Sequence, residues 1–238
     1  MNGIIGLLGV LAILIATGAI IGVFSRGQVS WRWLMVGAAL VSINDAMLTQ
    51  AYGLAPRLFP AAEWNWQGKV CALLATLAIA AMPAFGWRRC GITLRQARGS
   101  LAASIPVLLL YCAFFIAIAF AFPSGPASHE TVAFQLTMPG FEEEPFYRGI
   151  LLFALDRAFT GRVRLLGVDW GWGAVLSCAM FGLAHAFSYS GGQFTFDAMT
   201  MALTALPSFI AVWLRLRTGS VLLPVVMHNF GNSISLIL

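Results

Sequence analysis

The sequence begins with an apolar run that is as long as a membrane is thick. Gly3 to Phe24 are 22 nearly uninterrupted apolar positions, which as an α-helix would be about 33 Å long. That length matches the hydrocarbon core of a bilayer, about 30 Å. No basic segment precedes the run. We therefore predict a retained transmembrane span and not a cleaved signal peptide.

Similar apolar runs recur along the whole chain. The predicted spans are residues 3–24, 33–54, 70–87, 101–122, 140–159, 170–188, 196–214 and 220–238. Of the 238 residues, 60% are hydrophobic and 10% are charged, whereas a soluble domain is about a quarter charged. We therefore predict an all-α, polytopic membrane protein, in which residues 1–238 form one transmembrane domain, a bundle of about eight helices.

Basic residues alternate between the connections. Only Arg57 and Lys69 lie in the even-numbered connections, and eleven lie in the odd-numbered ones: Arg26, Arg32, Arg88, Arg89, Arg95, Arg98, Arg157, Arg162, Arg164, Arg215 and Arg217. Because cytoplasmic connections are enriched in Lys and Arg, we predict that the odd connections are cytoplasmic and both termini non-cytoplasmic. The formal charge of +5 is explained by these basic connections. It does not indicate nucleic-acid binding, because the basic residues are not interspersed with aromatic residues as in a nucleic-acid-binding groove.

The fifth predicted span contains a dense group of ionisable residues. Residues 142–148 read EEEPFYR, with four ionisable groups in seven positions. At about 2.5 kcal/mol for each charge near the bilayer centre, four unpaired charges would cost on the order of 10 kcal/mol. We therefore expect partners, water access or neutral carboxyl groups. Glu144 and Arg148 are four residues apart and are predicted to form an ion pair on one helix face.

Further polar residues interrupt other predicted spans. His185 lies in the sixth, and His228 and Asn232 share one face of the eighth at a spacing of four residues. A lone membrane histidine is more often a hydrogen-bonded packing residue than a ligand, but a glutamate cluster in the same chain weakens that interpretation. Asn44 and Asp45, in the second span, are interpreted as a helix-packing contact ahead of an ion site.

A glutamate, two histidines and an amide in a lipid-enclosed site can hydrolyse a bond in two ways. The carboxylate can act as general base on a water held by the histidines and Asn232, or the group can bind a zinc-like ion that activates the water. The amide or a histidine can stabilise the oxyanion of a peptide bond under attack. The sequence has none of the HExxH, GxSG and GxGD patterns of other intramembrane peptidases.

Three motifs, in this order, resemble the CAAX protease and bacteriocin-processing (CPBP) family, which includes the Ras-converting CAAX endopeptidases. EExxxR corresponds to residues 143–148, FxxxH to residues 181–185 and HxxxN to residues 228–232. Each motif is weak alone, but all three in order, each in its own predicted span, make a specific match. The resemblance covers about Phe141 to Asn232, within a motif-bearing core of about residues 131–238.

The resemblance implies an intramembrane endopeptidase that acts on membrane-anchored or prenylated, CAAX-type proteins. It implies Glu143 as the water-activating carboxylate, and His185, His228 and Asn232 as the rest of the catalytic site. Glu144, Arg148 and Phe181 would support it. A bound metal, Zn²⁺ or another divalent ion, would have Glu143, His185 and His228 as ligands, and the family does not settle whether a metal is required. Glu142 lies outside the motif and has no implied role.

The expected partners are a membrane-anchored protein or peptide substrate and the lipid bilayer, with no nucleic acid. For a bacterial member, the plasma membrane is the expected location. One alternative is a non-proteolytic scaffold or bacteriocin-immunity protein of the same family. Another is a proton or ion transporter, in which Asp45 would have to join the path of the other ionisable side chains.

Overall fold

The computed structural model describes residues 1–25 and 29–238, so that the predicted basic residue Arg26 lies outside the described residues. The helices are α1 (Asn2–Phe24), α2 (Trp31–Leu48), α3 (Gln50–Gly53), α4 (Trp66–Ala81), α5 (Leu101–Ala121), α6 (His129–Glu144), a π-helical segment (Pro145–Leu151), α7 (Leu152–Ala158), α8 (Trp172–Ala186), α9 (Ala198–Thr218) and α10 (Leu222–Ile237). Two antiparallel hairpins join β1 (Val163–Leu165) to β2 (Val168–Trp170) and β3 (Phe187–Ser190) to β4 (Gln193–Phe196). The predicted all-α architecture is confirmed.

The outer helices present apolar side chains to their surroundings. In the described part of the chain, α1, α5 and α9 are long and apolar enough to cross a membrane, and α4, α8 and α10 are shorter apolar helices. On α5, Leu109, Leu110 and Phe120 are 62%, 72% and 71% exposed. Soluble monomers rarely expose large contiguous apolar surfaces. Lipid is therefore the solvent for this face, and the chain is a membrane protein.

The connections gather at two opposite ends of the bundle. At the basic end, which carries Arg89, Arg162, Arg215 and Arg217, the Arg215 side chain donates to the Arg89 carbonyl at 2.9 Å. The Arg217 side chain donates to the carbonyl of Gly167 at 3.2 Å. These contacts join the third, fifth and seventh connections, as the predicted alternation requires. Which end faces the cytoplasm stays a prediction.

The opposite end is formed by the even connections and the N-terminus. The Ser128 hydroxyl donates to Glu63 at 2.6 Å, and the Trp64 indole donates to Thr131 at 2.9 Å. Gly3, in the first turn of α1, lies against the ring of Tyr52. The predicted helix count is consistent with this arrangement, because one missing span would place these segments at different ends.

Of the eight predicted spans, the fifth differs most in its bounds from the helix that the structure shows. The helix begins at His129, not near residue 140, and continues through α6, the π segment and α7 to Ala158. Ser128 accounts for the start, because its side chain accepts a hydrogen bond from the backbone N–H of Thr131. Its first turn contains the polar residues His129 and Glu130.

Pro145 marks a change of helical type beside the ionisable cluster. Proline has no N–H to donate and crowds the preceding turn, and from Pro145 to Leu151 the chain forms a π-helix, with i→i+5 hydrogen bonds. The Tyr147 carbonyl in this segment accepts a hydrogen bond of 2.6 Å from the Ser177 hydroxyl of α8. The widened turn is thus fixed to a neighbouring helix.

The main apolar core lies on one side of the π segment. Ile150 and Leu155 are fully buried against Leu14 of α1 and Leu34 of α2. Because these side chains are fully buried in one cluster, the core supports the π segment and α7. The ionisable cluster at the start of the π segment therefore projects from a fixed support.

The turn at Gly191 and Gly192, predicted as a connection, joins β3 to β4. Both glycines have positive φ, 60° and 85°, as a type I′ hairpin turn requires. The hairpin follows directly on α8 and makes the sixth helix end at Ala186. It leaves His185 in the last turn of α8, close to the opposite end of the bundle.

Candidate active site

One cavity of about 510 Å³ brings the predicted site residues together. It lies between α4, α5, α6, α8, α9 and α10. Its lining includes all seven residues of the predicted site: Glu143, Glu144, Arg148, Phe181, His185, His228 and Asn232. His185 and Asn232 are exposed in the cavity, whereas Glu143, Glu144 and Arg148 are buried in its wall. The fold therefore places three distant motifs around one space.

Glu144 holds both Arg148 and His228. Its Oε1 atom lies 3.2 Å from Nη1 of Arg148 and 2.7 Å from Nδ1 of His228. The predicted ion pair is thus present, with both side chains only 1% exposed. Because a carboxylate can only accept hydrogen bonds, Nδ1 of His228 carries the proton. Glu144 therefore fixes the orientation of the histidine ring, a contact that helical spacing alone could not predict.

The orientation of His228 directs its other nitrogen toward Glu143. Nε2 of His228 lies 3.6 Å from Oε2 of Glu143, which is too long for a hydrogen bond. Among the described residues, Oε2 of Glu143 has no hydrogen-bond partner. Two polar atoms on α6 and α10 thus point into the same small volume at the cavity wall.

Phe181 contacts both Arg148 and His185. The guanidinium carbon of Arg148 lies 4.3 Å from the centre of the Phe181 ring, which is the geometry of a cation–π contact. Nδ1 of His185 lies 2.9 Å from the Phe181 carbonyl oxygen. Since the carbonyl accepts, Nδ1 of His185 donates and its Nε2 atom is left for the cavity. Phe181 thus contacts two residues of the predicted site, and its supporting role stays a prediction.

Lys69 was missed by the sequence analysis, which interpreted it only as a basic residue of a connection. Its ammonium group donates to Oε2 of Glu142 at 2.7 Å and also to Oε1 of Glu143. The other oxygen of Glu142 accepts a hydrogen bond of 2.7 Å from the Asn44 side chain. Glu142 and Asn44 are therefore partners across the helix interface, in agreement with the packing interpretation of Asn44. The neighbouring Asp45 accepts a hydrogen bond from the Tyr52 hydroxyl.

The charges of the cluster nearly balance. Three carboxylates, those of residues 142–144, face the cations of Lys69 and Arg148, with His228 in contact with two of them. The expectation that the expensive charges have partners is thus confirmed. A cluster paired in this way can lie within a membrane-spanning bundle, because removing paired charges from water costs far less than removing isolated ones.

Close packing of α6 on α10 brings the motifs together. The backbone N–H of Gly140 donates to Oδ1 of Asn229 at 2.7 Å. A Cβ atom on Gly140 would lie 2.5 Å from that oxygen and 2.8 Å from the Val225 carbonyl. The two helices can approach this closely only because residue 140 is glycine. One turn further along α10, the Asn232 amide donates to Gln135 of α6 at 3.2 Å.

The metal version of the prediction finds little support in this donor set. A catalytic zinc takes three protein ligands, but no group of three His, Cys, Asp or Glu side chains converges on one point within residues 1–25 and 29–238. The carboxylate of Glu143 is also in contact with the ammonium of Lys69, which would repel a cation. The arrangement does not fit a metal ion as it stands, and the metal requirement stays a prediction to be tested.

Comparison with protein families matches residues 126–234 to the family described as Type II CAAX prenyl endopeptidase Rce1-like. The matched range begins just before α6 and ends within α10, and it contains all three sequence motifs. Comparison with curated proteins and with solved structures gave no match. The family match confirms the resemblance that the motifs indicated.

Proposed function

We propose that this chain, whose residues 126–234 match the family described as Type II CAAX prenyl endopeptidase Rce1-like, hydrolyses a peptide bond of a membrane-anchored or prenylated substrate with Glu143 as general base. The observation that carries the proposal is the pair of atoms Oε2 of Glu143 and Nε2 of His228. They lie 3.6 Å apart at the wall of the cavity, and we propose that one water molecule bridges them during the reaction.

The two atoms are suited to activating that water. A carboxylate oxygen accepts a hydrogen bond, and so does Nε2 of a histidine whose Nδ1 carries the proton. A water that donates to both directs a lone pair of its oxygen into the cavity, where a substrate carbonyl would lie. Positioned proton transfer of this kind accelerates a reaction about 10²–10⁴-fold.

The reaction then proceeds with one proton passing through Glu143. The water oxygen attacks the carbonyl carbon of the scissile bond as its proton moves to Oε2 of Glu143, which forms a tetrahedral oxyanion. The oxyanion collapses, the C–N bond breaks, and the proton returns from Glu143 to the leaving amine. The products are a new carboxyl terminus and a free amine, and Glu143 is regenerated as a carboxylate.

Asn232 and His185 are the proposed contacts for the substrate carbonyl and for a substrate N–H. The Asn232 amide has a second N–H besides the one that it donates to Gln135, and this N–H can donate to the oxyanion. Nε2 of His185, left free by the bond of Nδ1 to Phe181, is an acceptor and can take a hydrogen bond from a backbone N–H of the substrate. Both side chains are exposed in the cavity, as contact with a substrate requires.

The remaining wall of the cavity suits a substrate next to lipid. Its apolar part is formed by Tyr111 and Phe115 of α5, by Leu203 and Pro207 of α9, and by Met227 of α10. Both α5 and α9 are long apolar helices of the kind that cross a membrane. A peptide carried by a lipid group can therefore reach Glu143 without leaving the bilayer surface, which supports the membrane-anchored class of substrate.

A comparison of membrane peptidomes tests the proposal in cells. Membranes that contain the wild-type protein should accumulate shortened membrane-anchored proteins and released C-terminal peptides, and membranes with Glu143→Gln should not. Asp169→Asn, on an exposed side chain of the basic end, is the matched control and should behave as wild type. Identical peptidomes for wild type and Glu143→Gln, with biological activity retained, would instead favour the non-proteolytic scaffold. Ion flux in proteoliposomes would favour the transporter.

A further inference from the structure

Lys69 is a buried cation that no motif of the site predicts. It lies in the first turn of α4, and its side chain is only 13% exposed. The residue is outside the range 126–234 that matches the family. Burial of a lysine ammonium is unfavourable unless carboxylates and hydrogen bonds compensate for the lost hydration. Lys69 has both, and both of its carboxylate partners belong to α6.

A chain of hydrogen bonds runs from α2 through α4 to the proposed base. Asn44 donates to Oε1 of Glu142, and Lys69 donates to Oε2 of the same carboxylate. Glu142 is fully buried, and both of its oxygens are occupied. It can therefore neither rotate nor reach the cavity, and its effect is to hold the Lys69 ammonium in place. Lys69 in turn donates to Oε1 of Glu143.

This arrangement distinguishes the two oxygens of Glu143. Oε1 is occupied by Lys69, whereas Oε2 lies beside Nε2 of His228 and has no hydrogen-bond partner among the described residues. A carboxylate without such a contact could turn about its last torsion, which is soft for glutamate. With the contact, one oxygen is fixed and the other is held toward Nε2 of His228.

We infer that Lys69, held by Glu142, is a positioning residue that fixes the orientation of the Glu143 carboxylate. The inference rests on the proposed function, because it assigns Lys69 a part in the same reaction. The charged and titratable groups around Glu143 are Lys69 from α4, His228 from α10, His185 from α8, and its neighbours Glu142 and Glu144 on α6.

The direct contact explains why the lysine is needed. A general base must lie within hydrogen-bond reach of the proton that it abstracts. Lys69 is the cation in direct contact with Glu143, since Arg148 pairs with Glu144. Without Lys69, the proposed base would lose the hydrogen bond that fixes its orientation.

A cleavage assay tests this inference, with a farnesylated CAAX-type peptide as the probe. Arg57→Met, on the exposed cation at the same end, is the control and should leave kcat unchanged. Lys69→Met should lower kcat at least about tenfold and leave KM nearly unchanged, because Lys69 acts on the base and not on the substrate. Lys69→Arg should restore most of kcat, and so should added ethylamine in Lys69→Ala. A lysine that only ties α4 to α6 would lower thermal stability in all three variants and would respond to neither rescue.

The assay separates failure of this inference from failure of the proposed function. If the wild type does not cleave the peptide, the proposed function loses its support, and the inference that rests on it falls with it. If the wild type cleaves and folded Lys69→Met has the same kcat, the inference is overturned and the proposed function stands. A lower kcat in Lys69→Met that Lys69→Arg restores establishes the inference.

Discussion

Arg148→Ala should strongly destabilise the protein, because it leaves the buried carboxylate of Glu144 without its cation. The pair is 3.2 Å apart, and each side chain is 1% exposed. Removing one partner of a buried ion pair costs about 3–5 kcal/mol, and the lost contact of the guanidinium with Phe181 adds about 0.5–2 kcal/mol. The expected result is a decrease in the unfolding midpoint in detergent on the order of 10 °C, measured by the temperature dependence of the circular dichroism.

A double-mutant cycle isolates the interaction from other effects of each substitution. Glu144→Gln keeps an oxygen for the Nδ1–H of His228 but removes the charge, so the pair Arg148→Ala and Glu144→Gln probes the ion pair. The double variant should be more stable than the two separate losses predict, by about 0.5–3 kcal/mol. The exposed pair of Arg164 and Asp169, 3.0 Å apart, is the control, and Arg164→Ala should cost less than about 1 kcal/mol. Additive losses at Glu144 and Arg148 would refute the reasoning.

Three further predictions concern packing, topology and metal. Gly140→Ala should lower both thermal stability and cleavage, because its Cβ would lie 2.5 Å from Oδ1 of Asn229, whereas Gly125→Ala, with nothing within 4 Å, should change neither. The topology is tested on intact cells with single cysteines introduced into a cysteine-free protein. Arg95→Cys should not react with an impermeant thiol reagent and Ser128→Cys should react, since basic connections are cytoplasmic. Strong labelling of Arg95→Cys would mean that the orientation is the reverse of the predicted one. A chelator should leave cleavage unchanged if Glu143 acts on free water, and a loss of activity that zinc restores would favour the metallopeptidase version.

The sequence predicts the bounds of a helix correctly where the length of an apolar run alone determines them. The predicted spans 3–24 and 101–122 agree with α1 and α5 to within one residue, because a membrane requires helices of this length and composition. The fifth helix was placed too late because its first turns are polar. Its start depends on the cap at Ser128 and on contacts with the connection before α4, such as those of Glu130 with Trp64 and Trp66.

The sequence predicted which residues would line the cavity, but it did not predict all of the contacts between them. Ionisable residues in a membrane must find partners, so three polar motifs in three spans predicted that Glu143, His185 and His228 would line one cavity. The contact of Lys69 with Glu142, 73 residues away, was not predictable, because it depends on how α4 packs against α6. Lys69 also precedes the apolar run at Val70 by one position, which made it look like part of a connection.

The central claim, that Glu143 activates the attacking water, is tested most directly by single-turnover cleavage with purified, reconstituted Glu143→Gln. The substitution keeps the shape of the side chain and an oxygen for Lys69, but the amide cannot take a proton from water. The account predicts the wild-type unfolding midpoint and a cleavage rate about 10²–10⁴-fold lower on the farnesylated CAAX-type peptide. A folded Glu143→Gln protein that cleaves this peptide at the wild-type rate would contradict it.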